Sequence, residues 1–152
     1  MQIDSYLGLT RHAEEKLADA FEGVGAQHAL EIDVLHMCKL FASWSLDHAE
    51  NLKLLIERYG EKKDPEPGDV ASALIKRRMG ALGMLRDLQG LWLMASEVEM
   101  CYIILNQAAQ ALRDTELELG CRQFGTQTHR QKAWLLTKIK HAASQTLVVA
   151  ES

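Results

Sequence analysis

Prolines occur in this chain only at positions 65 and 67. Proline lacks the backbone donor and clashes with the preceding turn, so it stops helices. The flanks on both sides lack that breaker and carry apolar residues at three- and four-residue spacing, which predicts helices throughout. The stretch Gly60-Glu-Lys-Lys-Asp-Pro-Glu-Pro-Gly-Asp69 is charged and bracketed by glycines. It reads as a loop that divides the chain into two halves.

Each half reads as a helical hairpin. In the first, Leu7, Leu17, Phe21 and Val24 form one face, with Arg11, Glu15, Asp19 and Glu22 opposite. A break is expected between Ala29 and Asp33, with Asp33 as N-cap of a second helix from about Val34 to Tyr59. Its inward stripe is Leu35, Cys38, Phe41 or Ala42, Ser45, His48 or Ala49, Leu52 and Leu55 or Ile56. Gly60 then stands where a left-handed residue ends a helix. In the second half, Asp69 caps a short segment, Val70 to Arg78. A long third helix follows from about Leu82 to Arg113, with the stripe Leu85, Leu88, Trp92 and Ala95. The fourth starts after Asp114 and ends near Ala143, burying Leu117, Cys121, Phe124, Leu135, Ile139 and Ala142. Glu116 and Glu118 lie near its positive end, and Lys138, Lys140 and His141 near its negative end. No strand pattern competes, and Thr146 to Ala150 reads as a lone apolar tail. The expectation is an all-α antiparallel four-helix bundle, one domain over residues 1–152, with a long crossover between the second and third helices.

At 152 residues, 47% apolar and 25% charged, the chain is of ordinary globular composition and large enough for one core. A net charge of −4 gives no electrostatic reason for a nucleic-acid partner or an anionic membrane. No basic-then-apolar leader opens the sequence and no stretch reads as an uncharged membrane span, so a cytoplasmic location is expected. Cys38, Cys101 and Cys121 are odd in number and widely spaced, as reduced thiols on helix faces would be. The third helix is apolar on nearly every side around Leu91-Trp92-Leu93-Met94-Ala95 and from Met100 to Leu105. That predicts a central place in the bundle or a homodimer interface. Met79, Met84, Met94 and Met100 are core filling, with a pocket for an apolar small molecule beneath Trp92 as the alternative.

Two segments carry a family resemblance. Trp44-Ser-Leu-Asp-His48-Ala-Glu50-Asn-Leu resembles the Glu-x-x-His-Ala segment of ferritin-like and rubrerythrin-like proteins. Gly125-Thr-Gln-Thr-His129-Arg-Gln-Lys-Ala-Trp134-Leu resembles the second such segment. The closing run Trp134-Leu-Leu-Thr-Lys-Ile-Lys-His-Ala-Ala-Ser-Gln-Thr-Leu147 is similar to the last turns of small bacterial ferritin-like proteins. The resemblance implies a site at mid-bundle, with one Glu from each of two helices and a Glu-x-x-His from each of the others. Carried onto this chain, the metal candidates are Glu14 (or Glu15), His48, Glu99 (or Glu97) and His129, and the metal would be iron or manganese. The stripe on the third helix points to Glu99 as the inward member of its pair.

The departures are specific. Ser45 stands three residues before His48, and Thr126 three before His129, where the family has carboxylates. Half the expected anionic ligands would leave two divalent ions poorly compensated in a low-dielectric core. The sequence therefore predicts a bundle without di-iron ferroxidase activity, acting as a small binding or interaction protein. A metal-dependent oxidase with a remodelled Glu14, His48, Glu99 and His129 site is the alternative. Among the other histidines, His28 and His36 flank the first break and read as surface residues, and His12 as part of a solvated face. Lys76-Arg77-Arg78 reads as a partner for Asp87 or for a neighbouring subunit.

Overall fold

The computed structural model describes residues 2–60 and 80–149. These form four α-helices: α1, Ile3–Gln27; α2, Ile32–Tyr59; α3, Gly80–Leu112; and α4, Thr115–Ser144. A single π-helical turn, Gln145–Val149, continues α4. The described residues contain no strand. The expected segment Val70 to Arg78, its cap Asp69, and the partnership of Lys76-Arg77-Arg78 with Asp87 lie outside the described residues.

The helix ends follow local chemistry. Gly60 closes α2 at φ 74°, the left-handed conformation that glycine adopts without a Cβ clash. The Asp114 carboxylate accepts the Leu117 amide and caps α4 as the sequence predicts. Asp33 does not cap α2: the helix begins two residues earlier than expected, at Ile32, with Glu31 as N-cap. The Asp33 carboxylate is instead taken by Lys138 of α4, 2.7 Å away, and this hydrogen bond holds its pKa below the usual carboxylate range.

Cross-helix contacts fix the topology. Glu14 meets His48, and His28, just past α1, meets Asp87 near the start of α3. Ser45 meets Gln131, and Arg58 meets Asp114. Neighbouring helices are antiparallel around a square, α1 against α2 and α3, and α4 against α3 and α2. The diagonal pair α2 and α3 runs parallel, so Gly60 and Gly80 sit at opposite ends of the bundle. One apolar core unites all four helices, among it Leu17, Phe21, Phe41, Leu52, Leu88, Leu91, Leu105, Leu117 and Leu135.

Side-chain size sets the spacing. α1 and α2 pack closely, and both bury small residues, Ala13, Ala18 and Gly25 on α1 and Ala42 and Ala49 on α2. The α2–α4 backbones stand farther apart and are bridged by long side chains. Phe41 packs on Trp44 and Trp134 with ring centroids 5.1 and 5.9 Å away. His48 packs on Phe124 at 4.9 Å.

Gly25 tests the close contact. A Cβ placed there would stand 3.0 Å from Cys38 Cβ, an atom tied to the α2 backbone. Gly23, two residues earlier, has nothing within 4 Å. Gly23→Ala is expected to stabilise by about 0.5–1 kcal/mol through helix propensity. Gly25→Ala is expected to destabilise by about 1–3 kcal/mol, since overpacking outweighs that gain. Paired urea melts measure both; a stabilised Gly25→Ala would mean the two helices separate freely.

α3 is the described helix whose length and apolarity would suffice to cross a membrane, with a mean hydropathy of 1.3 over its best window, half of which is buried in the bundle. Its outward side carries Met100, Ile103 and Ile104, 54%, 53% and 42% exposed. Met84 and Met94, by contrast, fill the core.

Candidate functional site

At mid-height the apolar core is interrupted by a polar layer drawn from every helix. α1 supplies Glu14 and Thr10, α2 Ser45 and His48, α3 Tyr102, and α4 Gln127, Thr128 and Gln131. Glu14 and His48 are fully buried, as are Ser45, Thr128 and Gln131. A burial of this kind is costly unless each group finds partners.

Most do. His48 Nδ1 is 2.6 Å from Glu14 Oε2, and His48 Nε2 is 2.5 Å from Gln127 Oε1. The Tyr102 hydroxyl donates to the same Glu14 Oε2 at 2.5 Å. With the Glu14 carboxylate at Nδ1 and the Gln127 oxygen at Nε2, both His48 nitrogens meet acceptors, an arrangement that favours the imidazolium. Burial opposes that charge, but the Glu14 hydrogen bond and carboxylate outweigh it, helped by Gln127 and Asp47, and the His48 pKa is raised. Burial and the Glu14 charge push the Tyr102 phenol well above its ordinary value, which keeps it a donor. One level along, Gln131 Nε2 donates to Ser45 Oγ at 3.0 Å and to the Phe41 carbonyl at 3.1 Å. Glu14 Oε1 and Gln131 Oε1 are buried and meet no donor among the described residues.

The hydrogen-bonded chain Tyr102–Glu14–His48–Gln127 crosses the bundle, and each end lines a groove. Tyr102 borders a groove of about 310 Å³ between α3 and α4, with Ile103, Asn106, Gly125 and His129. Gln127 borders one of about 600 Å³ between α2 and α4, with Asp47, Asn51, Phe124 and Arg130.

The four metal candidates do not come together. Glu14 and His48 are in the core. Glu99 is not the inward residue that the stripe suggested. Val98 takes the core position at 1% exposure, while Glu97 and Glu99 are both half-buried. Glu99 binds Lys132 at 2.8 Å and His129 at 3.0 Å on the outer α3–α4 surface. Despite partial burial, those two partners hold the Glu99 carboxyl below its ordinary range. His129 is 72% exposed and Thr126 is exposed, so the Thr126–His129 frame faces outward. The inward frame of α4 is Gln127, Thr128, Gln131 and Leu135, because helix phase is set by the apolar residues and not by the histidine. Among the described residues, no three His, Cys, Asp or Glu side chains gather as a metal ion needs. No family model, curated protein or solved structure matches the chain.

Sequence reasoning passed over Tyr102, which looks like one more apolar residue in its run, and Gln127, which stands unremarked between Thr126 and His129. It also placed His28 on the surface. The residue is 8% exposed and pairs with Asp87 at 2.8 Å, because the turn after α1 folds back over the start of α3. The cysteines are buried thiols, and burial pushes Cys38 and Cys121 up to about 12, which removes the thiolate that reacts.

Proposed function

We propose that this chain is a ferritin-like bundle whose centre does not handle a pair of irons, and that it acts as a small binding or interaction protein. One observation carries the reading. Among the described residues, the layer where such bundles gather four carboxylates holds a single buried one, Glu14, with Ser45, Tyr102, Gln127, Thr128 and Gln131 around it. Two divalent cations against one carboxylate and an imidazole whose nitrogens both donate would be left without charge compensation or free lone pairs. The residues do not fit a di-iron centre. The parallel run of α2 and α3 supports the ferritin-like part of the reading, since that order goes with one long crossover.

The chain pairs as a homodimer through the outward side of α3, where Met100, Ile103 and Ile104 stand together. Three adjacent apolar side chains about half exposed in mid-helix are unusual for a lone domain's surface. The competing reading is a metal-dependent oxidase, and the unpartnered Glu14 Oε1 favours it, because a buried carboxylate oxygen without a donor is a possible ligand atom.

Metal analysis and light scattering on untagged protein decide between them. The expected result is iron and manganese far below one atom per chain and a mass of two chains. One or two metal atoms per chain, lost in Glu14→Ala/His48→Ala, would establish the oxidase reading instead. A monomer at micromolar concentration would overturn the dimer.

A further inference from the structure

We infer that the groove between α2 and α4 is a binding site for a small oxyanion, a carboxylate or phosphate-type group. Arg130 and the Gln127 amide nitrogen grip it, and the contact of the Gln127 oxygen with His48 sets the direction of that amide. The inference rests on the binding-protein reading and gives it a ligand class.

Gln127 is the starting point. Its oxygen is committed inward, 2.5 Å from His48 Nε2. The amide is planar and carries its nitrogen opposite the oxygen, so the two N–H donors turn away from His48 toward the groove that Gln127 lines. No acceptor among the described residues takes them. Arg130 lies three residues on along α4 and lines the same groove, so its guanidinium and the Gln127 amide are neighbours on one helix face. Arg130 likewise has no ion pair among the described residues, whereas Arg122 at the other end of the groove is shared with Glu118. Two uncommitted donor groups side by side, one of them cationic and forked, match an oxyanion.

The floor strengthens the attraction. Phe124 lies against the His48 ring and lines the groove, replacing water beneath the anion with apolar surface. The α2 wall is different: Asp47 is anionic, and Asn51 spends its amide nitrogen on the Asp47 carbonyl, which leaves an acceptor oxygen. An anion is therefore held against α4, and the far end of the natural ligand is a hydroxyl or amino donor.

The test is a titration of uniformly ¹⁵N-labelled protein with sodium sulfate and, separately, sodium acetate at constant ionic strength. The Gln127 side-chain amide is the reporter, at about pH 7, where both probes keep their charge. Saturable shifts are expected, with about tenfold weaker binding in Arg130→Gln. Lys140→Gln, an exposed cation outside the groove, leaves the isotherm unchanged. Stronger binding of sulfate identifies a phosphate-type ligand, and stronger binding of acetate a carboxylate. Linear, non-saturating shifts with both probes, or equal affinity in Arg130→Gln, would each overturn the inference. None of these outcomes bears on metal content or mass, so the broader reading stands or falls separately.

Discussion

Replacing His48 by leucine is expected to cost about 3–5 kcal/mol of folding free energy, among the largest effects available to one substitution here. The change removes the cation from a carboxylate with no solvent exposure and leaves Glu14 with Tyr102 as its one remaining donor. Introducing Glu14→Leu alongside removes the stranded charge, and the double variant is expected to recover most of the loss. What remains is the desolvation of the Tyr102 hydroxyl and Gln127 amide, about 1–3 kcal/mol. Urea melts of wild type, single and double variants measure this. A double variant no better than the single would show that packing, not charge, dominates the layer.

The same pair sets a pH dependence with a definite sign. The folded-state pKa of His48 is raised, so folding favours the imidazolium. That stabilisation is complete below the unfolded value of about 6.5 and is lost as pH climbs through the raised folded value. Wild type should therefore lose stability across that window, and His48→Leu should lack this component.

The second large effect is Phe41→Ala, at about 3–5 kcal/mol. Phe41 is 2% exposed and meets three rings, Phe21, Trp44 and Trp134, within 5.9 Å. It bridges the pair of neighbouring helices whose backbones are farthest apart, so the cavity has no nearby backbone to close it. For a chain of this size the cost corresponds to a melting temperature lower by roughly 10 °C. Emission of Trp44 and Trp134 should change in the folded state. A loss under about 2 kcal/mol would mean that α2 and α4 draw together after truncation.

The fold was largely readable because each helix carries its own punctuation. Gly60 and Asp114 act in the structure as their residue types predict, and Leu7, Leu17, Phe21 and Val24 are buried as the spacing requires. α3 was harder to phase, since a helix apolar on most sides does not say which side is in. That ambiguity put Glu99 inward, where Val98 belongs. On α4 the histidine was taken as the marker of the inner face, although Leu117, Cys121 and Leu135 already fixed the phase that turns Gln127 and Gln131 inward. Glu14 and His48 could be named from sequence because a charged residue on an apolar stripe is visible as an exception. Their connection through Tyr102 and Gln127 could not, because it depends on the offset between hairpins, which no local pattern encodes.

That offset has a consequence for how the molecule assembles. Glu14 and His48 come together within the first hairpin, 34 residues apart, but Gln127 and Tyr102 arrive from the second, 79 and 88 residues from their partners. A purely greasy seam would let one hairpin slide along the other by a turn at little penalty. Sliding here would strand a carboxylate, an imidazolium and a phenol in a dry interior. The polar layer thus works as a vernier mark, allowing the two halves to close at one setting and rejecting the neighbouring ones.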